Sequence, residues 1–74
     1  MRKLPRNVHP QRLVAALLKL GFVKYKAKGS HVRLKHPDGR WTQVAVHPGP
    51  VPTGTLRKIL NQAKLVPEQL EDLL

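Results

Sequence analysis

The chain has 74 residues, 14 Lys and Arg against four Asp and Glu, a formal charge of +10, a pI near 11.1 and no cysteine. A chain this short holds one small domain with a thin core, and the missing cysteines exclude disulfide staples, thiolate zinc sites and cysteine nucleophiles. So dense a positive charge points to a polyanionic partner, nucleic acid before an anionic membrane.

Residues 1–8 read as a flexible basic arm on a single domain spanning 1–74. The opening Met1-Arg-Lys-Leu-Pro-Arg6 is followed by no signal-type apolar core, so a soluble, cytoplasmic protein is expected. His9-Pro10 then opens a helix. Leu13, Ala16, Leu17 and Leu20 recur at three- and four-residue steps, Val14 and Leu18 widen the stripe, and Gly21 is placed to stop it in a left-handed conformation. Phe22 to Lys28 alternates as a strand, with Val23, Tyr25 and Ala27 on one side and Phe22, Lys24, Lys26 and Lys28 on the other. Gly29-Ser30 is a tight corner. His31 to His36 alternates again, Pro37-Asp38-Gly39-Arg40 is a turn, and Trp41 to His47 is a third strand.

The apolar pattern also selects a register for the second hairpin. A strict two-residue loop at Asp38-Gly39 would set Val32 opposite Ala45 and mix core with charge. A one-residue slip, through a longer loop or a bulge at Gly39, pairs Val32 with Val46 and Leu34 with Val44, which makes one buried face. That register sets His31 opposite His47 on the exposed face, among Lys24, Lys26, Lys28, Arg33, Lys35 and Gln43.

Pro48-Gly49-Pro50-Val51-Pro52 is a stiff connector rather than a central strand. Thr53 reads as the N-cap of a second helix whose stripe is Leu56, Ile59, Leu60 and Ala63. Val66-Pro67-Glu68 starts a short last helix docked by Leu70, Leu73 and Leu74. The expected fold class is therefore α+β, a three-stranded antiparallel sheet with helices on one face, a short C-terminal helix, and a basic solvated face opposite.

Phosphate contacts are expected from Lys24, Lys26, Lys28, Arg33, Lys35 and Arg40, and Trp41 either stacks a base or caps the sheet edge. Ser30 most simply shapes the corner, since no acid partner is arranged to make it a nucleophile. The four histidines lack metal-ligand spacing and sit among cations, so neither metal nor other cofactor is expected. Cutting RNA without metal needs a base for its 2′-hydroxyl, an acid for the leaving 5′-oxygen and cations for the charge gathering at phosphorus. His31 meets those needs in residue type, with Lys28, Arg33 and Lys35 favouring a neutral imidazole. A solvated surface histidine fits the same pattern. His47 is either a complementary acid or a polar strand end, while His36 is structural at its turn.

The chain resembles the HicA-type, or YcfA-like, toxins of bacterial toxin–antitoxin pairs. The resemblance is carried by Gly29-Ser30-His31, by His36-Pro37-Asp38-Gly39, by Val44-Ala45-Val46-His47 and by Gly54-Thr55-Leu56-Arg57-Lys58-Ile59-Leu60, and it covers about residues 8–74. It departs where Thr53-Gly54 replaces the usual Pro-Gly and, mildly, at Leu34. The resemblance implies a fold similar to the double-stranded RNA-binding domain, α-β-β-β-α. It implies an mRNA interferase, an RNA-cleaving toxin neutralised by a HicB-type antitoxin and monomeric when free of it, with the Gly-Ser-His histidine, His31, in the active site. A non-catalytic RNA-binding module of the same fold is the other expectation.

Overall fold

Residues 4–74 are described by a computed structural model. Pro10, with its φ already helical and no N–H to satisfy, stands at the first position of α1 (Pro10–Lys19). Leu13, Ala16 and Leu17 are fully buried along one face of α1. Leu18 was expected to widen that stripe but is 41% exposed. A core this thin covers about three positions in every two turns, and Leu18 is turned away from it. Past Leu20 the N–H of Phe22 donates to Leu17 O (3.0 Å) and that of Gly21 to Leu18 O (3.1 Å). These are the paired bonds of a Schellman stop, with Gly21 at φ +99°. Phe22 is thereby delivered into the core, not into the strand that follows.

The sheet comprises β1 (Val23–Lys28), β2 (His31–Lys35) and β3 (Trp41–Ala45), antiparallel in the order β1-β2-β3. Lys28 pairs with His31 across the two-residue corner Gly29-Ser30, where only the first residue takes a positive φ (+60°), as a type II′ turn requires. The second corner is a three-residue loop. His36 N–H donates to Arg40 O (2.8 Å), Gly39 N–H donates to His36 O (2.9 Å), and Gly39 sits at φ +99°. This closure pairs Val32 with Val44, Leu34 with Thr42 and His31 with Ala45.

The expected register, with Val32 opposite Val46 and His31 opposite His47, is thus corrected. The strands slip the other way, which leaves the same residues on the buried face. The slip puts a hydroxyl in the core, because Thr42 is fully buried opposite Leu34. Its Oγ1 donates to Gln62 Oε1 at 2.9 Å, so the burial is compensated. A second correction concerns β1. A bulge at Tyr25 shifts its pairing, so that Lys24 partners Leu34 while Lys26 partners Arg33. Lys24 therefore belongs to the helix-bearing side of the sheet, away from Lys26 and Lys28.

Across the buried face lie α1 and α2 (Thr53–Ala63), and the single turn-and-a-half of α3 (Pro67–Glu71) follows them in the chain. Leu56 N–H donates to Pro52 O (2.9 Å), which makes Pro52 rather than Thr53 the N-cap, so the helix starts one place earlier than expected, with Thr53 its first residue and no side-chain cap. Leu56, Ile59, Leu60 and Ala63 are buried, as are Leu65 and Leu70. In α3 the Gln69 side chain accepts from Val66 N–H (3.0 Å). The segment before α1 is anchored rather than free. Val8 is 3% exposed in the core and its carbonyl accepts from Val51 N–H at 2.7 Å. Residues 1–3 of the expected arm lie outside the described residues. No helix among the described residues is long and apolar enough to cross a membrane.

Candidate functional site

Strand alternation sends Lys26 and Lys28 of β1, His31, Arg33 and Lys35 of β2, and Trp41 and Gln43 of β3 to the face the helices leave bare. Lys26, Lys28, Arg33, His31 and Gln43, with the Gly29-Ser30 corner, wall an open cleft of about 570 Å³. The wall contains no carboxylate. Of the four acids, Glu68, Glu71 and Asp72 lie at the C-terminal end of the chain and Asp38 is at the far turn. The cleft is therefore a cation-lined concavity for an anion, with a titratable imidazole on its rim.

Three side chains cross it in series. Arg33 Nε donates to Gln43 Oε1 at 3.1 Å, and Gln43 Nε2 lies 2.8 Å from His31 Nδ1. An arginine can only donate, so the amide oxygen of Gln43 must face it and the amide N–H₂ must face the imidazole. Nδ1 of His31 is then an acceptor, and the neutral ring carries its proton on Nε2. This pairing of Arg33 with Gln43 is a register effect: the two are direct cross-strand partners. In the sequence Gln43 stands out only as one polar residue on the exposed face. Its role is legible only once the three-residue loop fixes which residue it opposes.

His47 lies beyond the end of β3, exposed, with its ring edge-on to His31 at a centroid distance of 6.4 Å. It is a diagonal neighbour of His31, not its partner. Ser30 is half-buried, and its carbonyl accepts from Val46 N–H (2.6 Å), tying the corner to the end of β3. Lys35 stands at the opposite end of the face, its ammonium 5.2 Å from the centre of the Tyr25 ring. Trp41, paired with Lys35, is 49% exposed.

Arg40 was expected among the phosphate contacts, but its donors are engaged elsewhere. Nε bonds Asp38 Oδ2 (2.8 Å), an N–H₂ group bonds Ala63 O (2.9 Å), and the guanidinium covers Phe22 at 5.2 Å. The backbone N–H of Arg40, with help from its side chain against an opposing desolvation, holds the Asp38 carboxyl below the usual carboxylate range. Lys24 is likewise off the cleft, on the other side of the sheet. No cluster of three or more histidines and carboxylates with metal-binding geometry occurs among the described residues.

Comparison with known proteins places the chain in a family. Residues 10–65 match the family described as the HicA toxin of bacterial toxin–antitoxin systems. No curated protein matches the chain closely enough to add to this. The match runs from the first residue of α1 to just past the end of α2 and covers well over half of the 74 residues. The chain belongs to the HicA toxin family of bacterial toxin–antitoxin systems.

Proposed function

We propose that this toxin is a metal-independent endoribonuclease, an mRNA interferase, in which His31 moves the proton. The observation that carries the reading is the Arg33–Gln43–His31 chain on the rim of a cleft walled by lysines. Lys26, Lys28 and Arg33 hold the scissile phosphate and balance the charge that builds on it. The substrate's 2′-hydroxyl displaces the Gln43 amide from Nδ1 and gives its proton to that nitrogen as its oxygen closes on phosphorus. The 2′-O–P bond forms as the P–O5′ bond breaks. The resulting imidazolium, or His47 beside it, returns a proton to the departing 5′-oxygen. The products are a 2′,3′-cyclic phosphate and a 5′-hydroxyl. In the cytoplasm a HicB-type antitoxin neutralises the toxin by laying an acidic surface over the same cleft, and the toxin is a monomer when released.

The test is incubation of purified wild type and His31→Ala with RNA in EDTA. Cleavage by the wild type, lost in the variant with RNA binding retained, is the expected result. Equal cleavage by both proteins removes His31 from the reaction, and RNA binding without cleavage by either leaves a non-catalytic RNA-binding module.

A further inference from the structure

His31 and Gln43 belong to two concavities at once. On one side is the cationic cleft. On the other is a groove of about 280 Å³ that runs between the outer edge of β3 and the side of α2, with Trp41 at one end and Thr55, Lys58 and Gln62 along its helical wall. The three α2 residues recur at three- and four-residue steps, so one stripe of the helix faces the groove. Ile59, buried beneath, gives it an apolar floor.

Resting on the ribonuclease reading above, we propose that this groove is a nucleobase subsite, which seats one unstacked base of single-stranded RNA beside the phosphate held at His31. Trp41 supplies the stacking platform, since half of its surface is open on the face that carries the cations. Gln62 supplies the polar edge. Its Oε1 is taken by the buried Thr42 hydroxyl, which orients the amide and leaves its N–H₂ as a donor toward the groove. That donor suits the ring nitrogens and carbonyls that every base presents on its edges, and its fixed direction ranks them. Lys58, exposed at the rim, meets the next phosphate along the strand.

The geometry selects a single strand. A base on a phosphodiester whose phosphate sits in the cleft must leave its stack to enter the groove, and in an A-form duplex the base faces are stacked and the Watson–Crick edges paired. An aromatic face with flanking cations is what sequence-tolerant single-strand sites use, and here the oriented amide adds a hydrogen-bond donor to that combination.

Trp41 is the chain's sole tryptophan, so its fluorescence reports on the groove directly. The experiment titrates the wild-type protein with a 2′-O-methyl oligonucleotide, which cannot be cut by its own 2′-oxygen, with the same oligonucleotide as a duplex, and with inorganic polyphosphate. The single strand is expected to quench Trp41, while polyphosphate binds the cations without quenching. Trp41→Ala is expected to lose roughly 5- to 150-fold in affinity for the single strand and to bind polyphosphate as before. Gln62→Glu, which keeps an acceptor for Thr42 but removes the outward donor, is expected to reorder binding among the four homopolymers. Equal quenching by polyphosphate or by the duplex, unchanged single-strand affinity in Trp41→Ala, or an unchanged homopolymer order in Gln62→Glu each overturns the subsite. Oligonucleotide binding without a Trp41 response overturns the subsite alone, whereas failure of the oligonucleotide to bind at all overturns the ribonuclease reading with it.

Discussion

The two ends of β2 are built from the same kinds of residue and do different work. At the start stand a glycine of positive φ, a histidine, an arginine and a polar acceptor: Gly29, His31, Arg33 and Gln43. At the finish stand Gly39, His36, Arg40 and Asp38. The finish is a clasp. Its histidine ring packs edge-on against Phe22 at 5.2 Å, its arginine bridges to the α2 carbonyl of Ala63, and its acceptor is charged. The start has an amide where the clasp has a carboxylate, and its histidine meets the exposed His47 ring at 6.4 Å rather than a buried phenyl. The contrast teaches that residue type does not separate cations clasped into the fold from cations left on the open face. What separates them is what their donors meet: Arg40 is held by a carboxylate and a helix carbonyl, whereas Arg33 meets a neutral amide on the exposed face.

The comparison breaks most visibly if the two histidines are exchanged in role. His31→Ala should lower RNA cleavage by about 10²- to 10⁴-fold, the range for one proton-transfer group, with the melting temperature unchanged. His36→Ala should lower the melting temperature while the folded fraction still cleaves. Unfolding curves run beside cleavage assays on both variants would reveal any reversal. Next comes Gly21→Ala, at the clasp end, where a methyl group on a φ of +99° would also stand 2.8 Å from His36 Nε2. About 1–3 kcal/mol of stability should be lost in denaturant titration.

The two arginines sharpen the contrast further. Arg40→Ala should cost about 1–2 kcal/mol of stability through its lost bonds and ring contact and leave the salt dependence of RNA binding alone. Arg33→Ala should leave stability alone and reduce the slope of log affinity against log salt by about 0.7 for a single-stranded ligand. Gln43→Leu should lower cleavage by about tenfold, the effect of losing one hydrogen bond of about 1.4 kcal/mol. A nitrogen-15 spectrum of the imidazoles should then show His31 losing its single Nε2–H tautomer. The smallest effect is at Asp38. Its folded-state pKa is depressed, so its stabilisation is present above the ordinary carboxylate range and fades as the pH falls through the lowered value. Acid titration of Asp38→Asn should show that portion of the pH dependence gone.

Most of the fold was legible because its signals are local. The Leu13–Leu17 stripe, the Gly21 stop, the Gly29-Ser30 corner and the Leu56–Ala63 stripe each need only neighbours in sequence to be read. The hairpin register was not, because parity fixes which face is buried but not the direction of slip. The position of the three-residue loop decides that, and the Asp38 carboxylate holding Arg40 N–H at 3.0 Å supports a loop centred on Asp38. Lys24 was misplaced for a similar reason, since the bulge at Tyr25 leaves no mark in an alternation of lysine with apolar residues. Of the candidate site, the location of His31 on the cationic face was readable and its partner was not. The engagement of Arg40 with Ala63 spans residues far apart in sequence, and the basic turn that contains it reads like any other phosphate-binding turn.

The strand that lines the cleft is also an outer edge of the sheet. All six residues of β1 are exposed, and its far side offers unpaired backbone groups to any extended chain that arrives. Lys24, Lys26 and Lys28, spaced along that edge, repel a second copy of themselves and so act against edge-to-edge self-assembly. The lysines that give this edge its charge thus double as gatekeepers of solubility. Variants stripped of them to silence the toxin would present Val23, Tyr25 and Ala27 on an undefended strand, and their inactivity would be confounded by aggregation.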